Sequence, residues 1–393
     1  MIKGKYKREA YFFICDMLSV VNRYVPKQKN KVLFFSNSEL EDNSKALLDH
    51  LLADPVNKAY NIVCSVSEPN KYKHYKRENV NFVSVIASLY HIMTAKRIFF
   101  HGEIIAIKPS KKQISINLWH GTPLKKFNKT AEKLSDYRYN FFTYVLASSE
   151  AFRPIMRDCF DCHIDQVVVF GHPRNDLLFQ KGTALQKLNI NKTAYKKIFL
   201  WMPTFRISRD HYIVDIEEGY RTETGLRVMR NEADLRTLNS KLQEMDSFML
   251  IKLHPAQNLD YVVMKEFTNI LFLTNTHLQK ASVDLYQVLR EADALITDYS
   301  SVYFDYLLLD RPIGFTIDDF RSYQNARGFL FENPLDYMPG RKIETKEDFF
   351  QYMDDVLEGN DDYKDQRAKV NELANQYKDS RNSERILQFA GIK

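Results

Sequence analysis

Cysteine, glycine and long apolar runs are all scarce in this chain. Four cysteines in 393 residues, with no secretory signal in view, argue against a disulfide framework and for a reducing, cytoplasmic compartment. The 12 glycines fall in neither a Gly-x-Gly-x-x-Gly nor a Gly-x-x-x-x-Gly-Lys-Ser/Thr pattern, which speaks against a dinucleotide dehydrogenase and a P-loop enzyme. No Asp-x-Asp and no His/Asp cluster with metal-ligand spacing stands out, so no metal ligands are assigned. No cofactor is expected, although room is left for a magnesium ion arriving with an anionic substrate. The excess of one charge sign is small: 56 Lys and Arg against 50 Asp and Glu give +6. That balance does not mark a nucleic-acid binder, and suits an anionic substrate or a membrane surface.

With 45% hydrophobic and 27% charged residues, the composition is that of a globular protein, and the length favours two domains. Residues 1–30 form a basic amphipathic segment, with Lys3, Lys5, Lys7 and Arg8 ahead of Tyr11–Ile14, Met17, Leu18, Val20 and Val21. Its apolar part is far below the ~20 residues of a spanning helix. It reads either as a helix lying in an anionic membrane interface or as a terminal helix packed on its own domain.

From Lys31 to about Phe170, short apolar strands alternate with helical stretches at 31–35, 61–66, 81–85, 97–100, 114–118, 144–147 and 167–170. The pattern restarts with 198–202, 248–253, 270–273, 294–297 and 313–315. Such alternation predicts α/β architecture, with parallel sheets covered by helices on both faces. The expected organisation is residues 31–188 and 189–379 as two doubly wound, Rossmann-like domains, with a helical tail at 380–393 crossing back to the first.

Asp293–Thr316 is the most informative β-α-β unit. Ser300 and Ser301 fall at the expected start of its helix, where free N–H groups and the dipole favour a phosphate. Asp305, one turn on, could accept hydrogen bonds from ribose hydroxyls. The plain alternative is an N-cap and a solvated carboxylate. Ligands of open α/β sheets gather at the carboxyl ends of strands, and four more such ends carry polar groups. Trp119-His120-Gly121-Thr122-Pro123-Leu124-Lys125-Lys126 follows one, Gly171-His172-Pro173-Arg174 the next, then Pro203-Thr204-Phe205-Arg206 and His254-Pro255. Gly121 and Thr122 would admit a ligand close to the backbone, and Lys125 could reach a phosphate. Arg206 offers a fork for bidentate phosphate binding, and with His254 would balance a pyrophosphate. Cys159-x-x-Cys162-His163 has the spacing of a redox or haem motif, but lacks the context and reads as chance.

These four motifs, with Thr297–Tyr306, Leu309–Pro312, Arg327-Gly328 and Pro339-Gly340, resemble those of the CDP-glycerol glycerophosphotransferase family, the teichoic acid primases and polymerases. The resemblance covers about residues 30–370. It implies a GT-B fold with a cleft between the domains, the donor held by the second and the acceptor approaching from the first. It implies transfer of glycerol phosphate from CDP-glycerol, or ribitol phosphate from CDP-ribitol, to an undecaprenyl-linked saccharide or a polyol-phosphate wall or capsule polymer at the inner face of the membrane, with release of CMP. Two functionally required histidines of the family map onto His120 and His254. His120 would be the general base, His254 and Arg206 the pyrophosphate holders. His172, Arg174 and Thr204 join the substrate-binding candidates. The competing expectations are a GT-B glycosyltransferase using a nucleotide sugar and a non-catalytic membrane scaffold. Ile207–Arg230 is a candidate acceptor or lid loop.

Overall fold

The structure, a computed structural model, describes residues 5–102, 104–204, 222–253 and 266–393. Among them the chain forms two compact units, one of residues 1–121, 127–176 and 376–393, the other of 122–126 and 177–375.

The first unit opens with helix α1 (Lys5–Tyr24) and carries seven described strands: β1 (Gln28–Phe35), β2 (Asn61–Ser65), β3 (Val80–Val83), β4 (Ala95–Phe100), β5 (Ile114–Asn117), β6 (Tyr144–Ala147) and β7 (Val167–Val169). Their order is β3-β2-β1-β4-β5-β6-β7, and every pairing is parallel, with Val32 opposite Ile62 on one side and Arg97 on the other. The sheet order turns at β1 and β4. Helix α2 (Asp42–Ala53) follows β1 and buries Leu47, Leu48, Leu51 and Leu52, the three- and four-residue spacing of one helical face. They pack with Val32, Phe34, Ile62 and Phe99 into the core.

The end of the chain completes this core. Ile386, Leu387 and Ala390 belong to the same apolar cluster, and Arg97 donates to the carbonyls of Ala390 and Gly391 at 2.7 Å. The Asp176 carboxylate accepts from the amides of Asn382 and Ser383 at 2.9 and 2.8 Å, satisfying two of the free N–H groups at the start of helix Asn382–Phe389.

The second unit holds β8 (Lys197–Met202), β9 (Ser247–Ile251), β10 (Ile270–Phe272), β11 (Ala294–Thr297), β12 (Ile313–Thr316) and β13 (Arg341–Ile343). The order β10-β9-β8-β11-β12-β13 is again parallel throughout and turns at β8 and β11. Trp201, Met249, Ile251, Leu295 and Ile296 are fully buried. Thr122–Lys126 joins this unit through a short antiparallel bridge of Lys125 to Phe329.

Helix α1 packs Tyr11 and Phe12 against Phe141 and Ala106, yet leaves much of its apolar surface outside. The side chains it turns inward include Cys15, Ser19 and Asn22. Ser19 donates to the carbonyl of Cys15 at 2.6 Å, and the Asn22 amide donates to Lys108 O and Gln113 Oε1 at 3.1 and 2.8 Å. Phe13, Ile14, Met17, Val20, Val21 and Tyr24 are instead 50–83% exposed, at three- and four-residue intervals along one outer stripe. Among the described residues no helix is long and apolar enough to cross a membrane.

Candidate active site

In the first unit polar groups follow the carboxyl ends of β1, β4, β5 and β7. His120 follows β5 between Trp119, in the left-handed region at φ 49°, and Gly121 at φ 123°. The Trp119 amide is held by Asn117 Oδ1 at 2.9 Å, and its indole stacks on the imidazole at 3.8 Å between ring centroids. Phe127 and Phe160 brace the indole from two further directions. The exposed imidazole therefore rests on a buried aromatic block.

Two groups that the motif reading did not single out stand beside it. Asp42 lies at the start of α2 after the β1 exit, with φ 57°, and pairs with the buried Arg174 guanidinium at 2.7 Å. His101 lies immediately after β4, and its Nδ1 is 2.9 Å from Ser44 Oγ. Asn43, fully buried, ties the ends of three strands together. Its Nδ2 donates to the carbonyls of Leu118 and Trp119 at 3.3 and 2.8 Å, and its Oδ1 accepts the Arg174 amide at 3.2 Å.

The electrostatics follow from this crowding. Burial in its surroundings pushes the His120 pKa down, the Asp42 carboxylate opposes the shift, and His101, Arg174 and His172 reinforce it. The ring is open to solvent, which argues for a smaller displacement than desolvation of a closed site would give, and the direction leaves a neutral imidazole at neutral pH. His101 is lowered for the same first reason. Burial raises the Asp42 carboxyl, but Arg174, His101 and His120 together outweigh it, and the net shift is downward.

Other sequence candidates take different places. His172 is 1% exposed, on the turn that receives the C-terminal helix. Arg174, 6% exposed, pairs with Asp42. The Gly171–Asp176 turn that carries both holds residues 382–383. Thr122 is buried, and Lys125 is half-buried on the segment bridged to Phe329.

In the second unit Thr204 follows β8 and Asp298 follows β11, where the strand order reverses. The Thr204 amide lies 3.0 Å from Asp298 Oδ2 and 3.1 Å from Oδ1, and its hydroxyl donates to Oδ2 at 2.8 Å. Ser300 and Ser301 come next, both half-buried. The helix they introduce is shorter than its spacing predicts, Val302–Tyr306 followed by a tight turn at Leu307–Leu309. The Ser301 side chain caps nothing, so what the pair offers an anion is hydroxyls and amides and little dipole.

Asp305 lies inside the second unit. It is fully buried, and Tyr286 donates its hydroxyl to Oδ2 at 2.6 Å, so the carboxylate braces two helices. Arg206 and His254, and the 207–221 part of the expected lid loop, lie outside the described residues. The described end of that loop is anchored, since Arg227, 2% exposed, makes a bidentate pair with Asp318 at 3.1 and 2.7 Å.

The Cys159 and Cys162 thiols belong to the helix Arg153–Phe160 and the turn after it. Burial pushes them up to about 12 and about 11, the reverse of what a reactive or metal-ligating pair needs. Among the described residues no group of three or more His, Cys, Asp or Glu could hold a metal.

A family model described as CDP-Glycerol:Poly(glycerophosphate) glycerophosphotransferase matches residues 17–390. Among curated proteins, the chain is 26% identical to a teichoic acid ribitol-phosphate primase of Bacillus spizizenii, over 94% of this chain and 93% of that one. It is 25% identical to a teichoic acid glycerol-phosphate primase of Bacillus subtilis, over 97% and 96%. It is 24% identical to a teichoic acid glycerol-phosphate transferase of Staphylococcus aureus, over 99% of each. Among solved structures, the wall teichoic acid polymerase TagF superposes with a TM-score of 0.75 at 18% identity, covering 98% of this chain and 96% of that one. That likeness, together with the two parallel sheets, identifies the fold as GT-B.

Proposed function

Because the chain belongs to the CDP-glycerol:poly(glycerophosphate) glycerophosphotransferase family, we propose that it moves glycerol phosphate from CDP-glycerol to a lipid-linked teichoic acid or capsule acceptor and releases CMP. The observation that carries this reading is the extent of the family match, residues 17–390, which takes in both sheets and the His120 loop.

In the proposed reaction an acceptor hydroxyl attacks the phosphorus bearing the polyol. The new P–O bond forms as the bond to CMP breaks, and CMP departs with the electron pair as a phosphate anion. The hydroxyl proton passes to the neutral His120 imidazole. Positioning and charge stabilisation dominate such transfers. The hydroxyls and amides at Ser300 and Ser301 suit phosphate oxygens, with Thr204 ordering the β8 exit beside them. Arg206 and His254 complete the pyrophosphate site in this reading.

Ribitol phosphate transfer from CDP-ribitol is the second reading, favoured by the likeness to the ribitol-phosphate primase. We also infer that the enzyme works at the cytoplasmic membrane surface. Support comes from the exposed apolar stripe of α1, which stands among Lys7, Arg8, Arg23 and Lys29 and so joins an apolar face to a basic surround.

Incubating the protein with CDP-glycerol, CDP-ribitol and UDP-sugars beside a lipid-linked acceptor tests the assignment. CMP release with CDP-glycerol is expected. Preferential turnover of CDP-ribitol would move the assignment to the second reading. UDP release, or no turnover of any donor, would overturn it.

A further inference from the structure

The mechanism leaves a second histidine of the first unit unused. His101 is the first residue past β4, and β4 is the parallel neighbour of β5, whose exit carries His120. The Leu118 amide donates to the Phe100 carbonyl at 2.7 Å, directly before His101. Adjacent strands run about 4.8 Å apart, so the two histidine-bearing loops leave the sheet side by side. Consecutive residues of α2 fasten them. Asn43 Nδ2 donates to the Leu118 and Trp119 carbonyls, and Ser44 Oγ meets His101 Nδ1 at 2.9 Å. The Ser44 contact fixes the tautomer of the ring. Ser44 is fully buried, and among the described residues His101 is the one hydrogen-bond partner of its hydroxyl. A buried O–H left without an acceptor is costly, so Ser44 donates and Nδ1 accepts. The ring proton therefore sits on Nε2, which has no partner among the described residues and is open to solvent.

Resting on the proposed transfer and on His120 as its base, we propose that His101 binds the acceptor, its Nε2–H donating to a polyol or phosphate oxygen beside the attacking hydroxyl. That hydroxyl has to reach the His120 loop to lose its proton, which brings the oxygens next to it to the neighbouring strand exit. A fixed N–H there orients the acceptor for attack. An uncharged donor suits the place, because a second positive charge would oppose the imidazolium that forms on His120. Burial lowers the His101 pKa, Asp42 opposes the shift and Arg174 reinforces it, so the ring is uncharged at neutral pH. Ser44 acts through the ring as a positioning residue.

Two substitutions separate the two ring nitrogens. His101→Asn places an amide near the Nδ1 position and keeps an acceptor for Ser44, whereas His101→Gln reaches the Nε2 position and keeps the outward N–H. The assay uses CDP-glycerol and a lipid-linked saccharide ending in a polyol phosphate. His101→Asn should lower kcat/KM for the acceptor about tenfold, with equilibrium binding of CDP-glycerol and the melting temperature nearly unchanged. His101→Gln should recover part of the rate, and Ser44→Ala, which frees the tautomer, should give a smaller loss of the same kind. A merely structural role predicts the reverse order, with His101→Gln the less stable variant and acceptor kinetics unmoved. Wild-type acceptor kinetics in His101→Asn, an equal loss of donor binding, or a His101→Gln no faster than His101→Asn would overturn the inference and leave the transfer reading standing. No CMP release by the wild-type protein would overturn that reading, and the inference with it.

Discussion

His120 owes its placement to neighbours in uncommon backbone conformations, Trp119 at φ 49° and Gly121 at φ 123°. With the indole below it, the ring has little freedom to lose on binding substrate. His120→Ala should therefore cut kcat by ~10²-fold or more and leave donor affinity nearly intact, as steady-state kinetics and equilibrium donor binding will show. The pH dependence has a definite sign. The folded-state pKa of His120 lies below the ordinary histidine value near 6.5, so the base stays available as pH falls to that value. The acid limb of kcat/KM is expected below it. The same shift means that the unfolded chain takes up a proton first on acidification, so this residue withdraws stability as pH drops below about 6.5. A second residue-scale prediction concerns Gly171. Its φ is 75°, and a β-carbon there would lie 2.3 Å from Asn382 Oδ1. Gly171→Ala should cost about 1–3 kcal/mol, read from chemical denaturation.

At the scale of elements, most strands were legible because each is a short apolar run bounded by turns or helical spacing. β6 and β11 match their expected residues, and the other expected strands differ by one to three residues at one or both ends. β13 was missed because Arg341-Lys342-Ile343 has one buried side chain and no apolar run to find. The site was legible where function leaves a local motif, as at His120. Asp42 and His101 were not, since no run of residues near either spells a motif and only the fold brings them to the reversal of strand order. Ser300 and Ser301 were recognisable, but the five residues of the helix after them were overestimated because the apolar spacing continues into a tighter turn. Helix α1 was readable as a helix, while its orientation was not. Its inward face mixes Tyr11 and Phe12 with Cys15, Ser19 and Asn22, so periodicity alone does not pick the side that faces the core. The triple variant Phe13→Ser/Met17→Ser/Val20→Ser should weaken co-sedimentation with phosphatidylglycerol vesicles at least tenfold, each lost side chain contributing on the order of 1 kcal/mol. The melting temperature should hardly move, as these side chains lie half or more in solvent.

The whole molecule carries a convenient pair of reporters. Its two tryptophans fall one in each unit, Trp119 in the first and Trp201, fully buried against Phe349, in the second. The tail that completes the first unit puts Ile386 and Leu387 into its core, each contributing about 1.5–3 kcal/mol by burial. Deleting residues 382–393 should accordingly lower the transition reported by Trp119 in a Trp201→Phe background. The transition reported by Trp201 in a Trp119→Phe background should shift far less. Equal shifts of both would mean that the two units unfold as one cooperative block.

The Asp176 latch also sets an order of events during synthesis. The sheet bearing His120 leaves the ribosome early, but the helix that fills its remaining core emerges only after the whole second unit has been made. A nascent chain stalled before that point would carry a fully translated His120 loop on an unfinished, aggregation-prone layer. Chaperone engagement is therefore expected to persist on the amino-terminal half until the closing helix has docked.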